Sequence, residues 1–133
     1  MEKSEHSFST SARKDLAGPA LRVFFQISAR WGLTSCQQRQ LLGRPARSTF
    51  YGWKRKSTGQ ASWDVLERIS YVLGIYQALH CLFTNGAQAD GWIRRPNSAS
   101  LFAGSSALDR MLAGQVADLF VVRQYLESQV WGD

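Results

Sequence analysis

Leu41-Leu42-Gly43-Arg44-Pro45-Ala46-Arg47-Ser48-Thr49-Phe50-Tyr51-Gly52-Trp53-Lys54-Arg55-Lys56 is the stretch on which the fold turns. Upstream, Thr34 is placed to cap a short helix, Ser35 to Leu42, with Leu41 and Leu42 facing inward and Gly43 as its exit. After the Gly43–Ala46 connection a second helix follows from Arg47. Phe50 and Trp53, three apart, share its inner face, while Arg47, Thr49, Tyr51, Lys54 and Arg55 remain outside. A short helix, a glycine turn and a helix that is aromatic inside and basic outside form the layout of a helix-turn-helix. In that motif the first turns of the second helix reach base edges and its basic residues hold phosphates. Arg47, Ser48, Thr49 and Tyr51 are therefore the candidates for base or groove contact, Lys54, Arg55 and Lys56 for phosphate contact, and Arg44 for either.

Working outward, Leu21, Phe24, Phe25, Ser28 and Trp31 recur at helical spacing, so a helix is predicted to open at Pro19 and stop at Gly32. Residues 1–17, rich in Ser and charge, read as a mobile tail. Downstream, Ser57 to Gln60 reads as a turn, and Ser62 caps a long helix with Asp64 in its first turn. Along it Val65, Ile69, Val72, Tyr76, Leu79 and Phe83 form an apolar seam that Asn85-Gly86 ends. Residues 87–97 read as irregular and Leu101 to Gly104 as a tight apolar turn. Ser106 and Asp109 resemble a capping box for a short helix stopped by Gly114. A last helix runs from Gln115 to about Val130. No segment alternates like a strand, so the class is all-α: an N-terminal helix-turn-helix bundle (18–84) joined by a long helix to a small helical C-terminal part (85–133).

Composition sets the limits on function. In 133 residues, 44% hydrophobic with five Trp and seven Phe, there is too much large apolar surface for a disordered chain. No run approaches the roughly 18 uncharged apolar residues of a membrane span, and Met1 to Asp15 has no apolar signal core, so a cytoplasmic protein without membrane contact is expected. Met1 to Gln60 holds eleven basic and three acidic residues, net +8, whereas Ala61 to Asp133 holds five and seven, net −2. That asymmetry assigns a polyanion to the first half and a protein partner to the second. Cys36 and Cys81 have no metal-ligand spacing and read as reduced, buried thiols. His6 lies in the tail and His80 beside the apolar seam, neither with a nucleophile or carboxylate in sequence reach. No glycine-rich loop follows a strand, so neither catalysis nor a cofactor is expected. Trp92, Ile93, Leu101 and Phe102 could fill a small core. Part of that surface, with Trp131, could equally form an aromatic hot spot for another protein.

The C-terminal series resembles a known family. Trp92-Ile93-Arg94-Arg95-Pro96-Asn97, then Leu101-Phe102-Ala103-Gly104-Ser105-Ser106-Ala107-Leu108-Asp109-Arg110-Met111-Leu112-Ala113-Gly114, then Arg123-Gln124-Tyr125-Leu126, is similar to the toxin-binding domain of the Xre/MbcA/ParS antitoxins. Leu41-Leu42-Gly43, Ser48-Thr49-Phe50-Tyr51-Gly52-Trp53 and Leu66-Glu67-Arg68-Ile69 resemble the Xre-like helix-turn-helix of the same proteins. The likeness covers about residues 20 to 132. It departs in the length of the turn after Gly43 and in the doubled Arg94-Arg95. The resemblance implies a dimeric antitoxin of a type II toxin–antitoxin operon that represses its own promoter. Its partner would be a RES-domain toxin that degrades NAD, or a related ADP-ribosyltransferase, whose active site it covers. Trp92, Arg94, Arg95, Asn97, Phe102, Tyr125, Trp131 and Asp133 are the expected toxin contacts, the C-terminal end serving as a plug. The rival reading is a stand-alone helix-turn-helix repressor whose C-terminal part dimerises or senses a ligand.

Overall fold

Helix α4 (Trp63–Leu82) is the axis against which α1 (Glu2–Arg30), α5 (Gly86–Gly91) and α7 (Val116–Trp131) pack. The computed structural model describes residues 2–56 and 60–132; the Ser57 to Gly59 part of the expected turn and the expected contact Asp133 lie outside them. Ser62 caps α4 as its sequence predicts, accepting from the Val65 amide at 3.2 Å. Val65, Leu66, Ile69, Val72, Ile75, Ala78 and Leu79 are buried along its length, because α1 (Glu2–Arg30) packs on one side and α7 (Val116–Trp131) on another. Burial on two sides explains why the apolar positions outnumber the single seam read from periodicity.

The crossing of α4 and α7 depends on Gly74. An added Cβ there would stand 2.6 Å from Nε of Arg123, which lies across the glycine, bonds Glu127 at 2.6 Å and covers the Tyr71 ring at 5.7 Å. A helix interior normally disfavours glycine by about 0.5–1 kcal/mol relative to alanine, so its presence is accounted for by this close approach.

Helix α1 corrects the expected boundary. It does not open at Pro19 but contains it, running from Glu2. Proline leaves one carbonyl of the preceding turn without its donor and bends the backbone locally. Ala17 and Leu21 flank it on the buried side, so packing against α4 continues through the interruption. Part of the stretch read as tail is thus in the core. Gly32, with φ +65°, ends the α1 region where the sequence places its stop.

Helices α2 (Ser35–Leu41) and α3 (Arg47–Lys56) match their predicted limits to within a residue. Thr34 and Gln37 form a reciprocal capping box on α2. Beyond α4 the structure adds what periodicity does not reveal. Asn85, expected only to end α4, also caps a six-residue helix α5 (Gly86–Gly91), accepting from Gln88 N at 3.0 Å, and a 3-10 turn follows at Trp92–Arg94. The Leu101–Gly104 turn is closed by backbone bonds from Gly104 N to Asn97 O (2.9 Å) and from Asn97 N to Ser105 O (3.0 Å). Helix α6 (Ala107–Met111) carries the Ser106/Asp109 capping box, and α7 starts after Gln115.

The described residues contain seven α-helices and no strand, only an isolated bridge between Pro96 and Ser106, so the chain is all-α. Burial is continuous from Ala17 to Leu126, with both halves contributing to one core. No described helix is long and apolar enough to cross a membrane. Cys36 and Cys81 are at the surface, correcting the expectation that they are buried. Gln38 and Leu41 on α2, and Ala78 and Leu79 on α4, occupy the inward positions and turn the cysteines away.

Candidate functional site

The turn between α2 and α3 is built from two successive left-handed residues, Gly43 (φ +87°) and Arg44 (φ +60°). Glycine adopts that region freely; Arg44 does so at a cost that neighbouring bonds must offset. Arg44 N donates to Arg39 O at 2.9 Å, and the Arg39 side chain donates from Nε to Pro45 O at 2.6 Å, bracing the turn from α2. Helix α3 then leaves with Phe50 and Trp53 buried, Phe50 meeting Phe25 of α1 at 6.0 Å between ring centres. Both aromatics are core residues rather than stacking platforms.

With its aromatics inside, α3 turns its basic side outward. Arg44, Arg47, Ser48, Thr49, Tyr51, Lys54, Arg55 and Lys56 are all exposed, so every residue read as a DNA contact is on the surface. Tyr51 rests edge-on against Phe50 at 5.0 Å. Lys54 is partly engaged, since its Nζ donates to Ser35 Oγ at 2.6 Å and ties α3 to the start of α2. The face offers guanidinium and ammonium donors for phosphate with hydroxyls between them, and among the described residues no acidic side chain lies within α3 to oppose an anion.

The second set of predicted residues divides in three. Trp92, Phe102 and Tyr125 converge from the 3-10 turn, the loop after it and α7. Trp92 stacks on Tyr125 at 6.3 Å and 20°, and Phe102 meets both edge-on at 5.9 and 5.4 Å. Phe102 is buried and the other two are half-buried, so the cluster anchors the C-terminal part and shows an edge to solvent. Arg94, Arg95 and Asn97 are bonded within the chain. Arg94 donates to Trp31 O from Nε (3.2 Å) and Nη2 (2.9 Å), and to Gly32 O from Nη2 (2.9 Å), capping the end of α1. Arg95 donates to Gln88 O at 3.0 Å, and Asn97 Oδ1 accepts from Ala99 N at 2.9 Å. Trp131 stands apart from all of these at 77% exposure, the most exposed of the large apolar side chains described.

Three features escape the sequence reading. His80 has a carboxylate partner after all, its Nε2 lying 2.9 Å from Asp90 Oδ1 while its ring packs on Tyr76, which staples α4 to α5. Arg39 braces the turn, but an arginine in a last helical turn reads as ordinary surface charge. Arg68 is buried among apolar neighbours, and here the signal was available: it occupies an inward step, three after Val65 and four before Val72. The Tyr71 hydroxyl donates to Glu67 at 2.9 Å, and that bond, with partial burial, holds the phenol above its usual value of 10.0. No group of His, Cys, Asp and Glu among the described residues is arranged to hold a metal ion.

Residues 11–74 match a family model described as the antitoxin Xre-like helix-turn-helix domain. Over 112 residues, 84% of this chain and 84% of the other, the sequence is 51% identical to an uncharacterized protein, y4oB, of Sinorhizobium fredii.

Proposed function

Because the chain belongs to the antitoxins with an Xre-like helix-turn-helix domain, we propose that it neutralises a toxin encoded beside it and represses their shared promoter. The observation that carries the DNA part is α3, whose predicted contacts are all exposed while Phe50 and Trp53 fix the helix to the core. Residues 18–84 bind DNA and 85–133 bind the toxin. The toxin is of the RES type or a related enzyme that consumes NAD, as the resemblance of the C-terminal series implies. The antitoxin needs no catalytic group, since covering the active site is enough. Trp131 fits this role, because an exposed indole at the end of a helix can enter a cleft without leaving the core and has only two side-chain torsions to order. The exposed edge of the Trp92–Tyr125 stack, apart from Trp131, offers a second contact.

The working unit is a homodimer. A helix-turn-helix dimer reads two half-sites related by two-fold symmetry, and an apolar groove between α1 and α4, lined by Leu16, Val23, Leu66, Ile69 and Leu73, supplies a face for a second copy. DNA immediately upstream of the gene is the test. The protein should bind it in preference to unrelated DNA, and a dimer neutralising about six phosphates should show a log affinity against log salt slope near −5. Arg47→Ala should relax sequence preference at one position, at a cost of about 1–3 kcal/mol, whereas Arg55→Ala should weaken all sequences alike. Absence of a specific complex at low salt would overturn the DNA assignment.

A further inference from the structure

Arg68 occupies a place where α4 otherwise buries carbon, and a buried guanidinium is tolerated only when its donors are met. Two of its nitrogens are met by different elements. Nε donates to Asp64 Oδ2 at 3.0 Å, one turn back on α4, and Nη1 donates to Gly114 O at 3.1 Å, in the turn between α6 and α7. The same group lies against Gly43. A Cβ at that position would come within 2.9 Å of Nε, 3.1 Å of Cζ and 3.3 Å of Asp64 Oδ2. Gly43 and Gly114 are both left-handed, with φ +87° and +96°. One side chain therefore touches the turn that launches α3 and the turn that launches α7.

We infer that Arg68 is a positioning residue for DNA recognition. It sets the Gly43–Arg44 turn, and with it the direction of α3, from a seat whose other wall is the α6–α7 turn of the C-terminal half. This deepens the reading of α3 as the DNA-contacting helix and rests on it. Arginine is required by the geometry: a planar group is needed to lie against a glycine while donating along two different edges, which a single ammonium cannot do. Gly43 is required for the complementary reason, since any side chain there would displace the guanidinium as well as strain the backbone. Any change that shifts Gly114 acts on the same guanidinium, so the state of the C-terminal half is transmitted to α3.

The experiment compares wild type, Arg68→Lys and Gly114→Ala by fluorescence anisotropy on the upstream DNA and on unrelated DNA of equal length, with amide hydrogen exchange on the free proteins. Arg68→Lys should lose about tenfold in affinity for the upstream DNA, the scale of one base contact, while affinity for unrelated DNA stays within twofold because the exposed cations of α3 are unchanged. The Arg44 amide, bonded to Arg39 O in the turn, should exchange faster. Gly114→Ala adds a Cβ that meets only the Leu112 carbonyl at 3.9 Å, yet its left-handed backbone is strained. It should shift both readouts the same way, although it lies in the other half, and it serves as the test if Arg68→Lys does not fold. Affinity for upstream DNA within twofold of wild type in both variants would overturn the inference. So would a parallel loss on both DNAs, which marks a general weakening of the fold. If wild type shows no preference for the upstream DNA, it is the DNA reading that fails; unchanged exchange at Arg44 would then overturn the positioning role by itself.

Discussion

Arg94 makes three donations to two carbonyls at the end of α1, from a 3-10 turn more than sixty positions away in the chain. Bonds from a charged donor contribute more than neutral ones, although an exposed head competes with water. Arg94→Ala should lower unfolding stability by about 1–2 kcal/mol in a denaturant titration, with the midpoint falling and the slope unchanged. An unchanged midpoint would return Arg94 to the role of a pure partner contact. Arg94, Arg95 and Asn97 were legible as a cluster, because the series around Pro96 is distinctive. That Arg94 and Arg95 are bonded to the main chain was not, because their acceptors, just after α1 and in α5, come close only in the folded state, whereas Asn97 accepts locally from Ala99 N, two residues on. Arg47 to Lys56 fared better, since which face of a helix is apolar can be read from its own spacing.

Helices announced by a cap and a spacing are where the sequence predicts them: α2 after Thr34, α4 after Ser62, α6 after Ser106. Helix α5 has neither apolar periodicity nor length, and its cap, Asn85 followed by glycine, carries the same signal as a terminator. Helix α1 misleads because proline favours the first turn of a helix over its interior. Pro19→Ala should restore a backbone bond within α1 and raise stability by about 1 kcal/mol or more, with a stronger helical signal in circular dichroism. No gain in either would mean that the helix effectively begins at Pro19. The α4–α7 crossing gives an opposite expectation. Gly74→Ala would ordinarily gain up to about 1 kcal/mol in an exposed helix. Here the new methyl must displace Arg123 from Glu127 and from the Tyr71 ring, so a net loss of about 1 kcal/mol is expected on thermal unfolding. A raised melting temperature would show that Arg123 can move aside freely.

Across the whole molecule, one core serves two outward-facing surfaces. The basic face of α3 lies in the half that carries the excess of positive charge, and Trp131 ends the last helix of the slightly acidic half. The exposed basic face of α3 was legible from charge and spacing. The shared core did not show in the sequence, because α4 is buried on two sides by helices that precede and follow it, and Arg68 joins the turns of both halves. On the proposed function, DNA and toxin bind at separate places on this common body. The most direct measurement is the growth of cells expressing the adjoining toxin gene together with this chain. Wild type should restore growth, the double variant Arg47→Ala/Arg55→Ala should restore it equally, and Trp131→Ala should fail. That failure corresponds to a loss of about 2 kcal/mol or more in toxin affinity, without loss of fold. Growth that Trp131→Ala restores fully, or that the α3 double variant fails to restore, would contradict it.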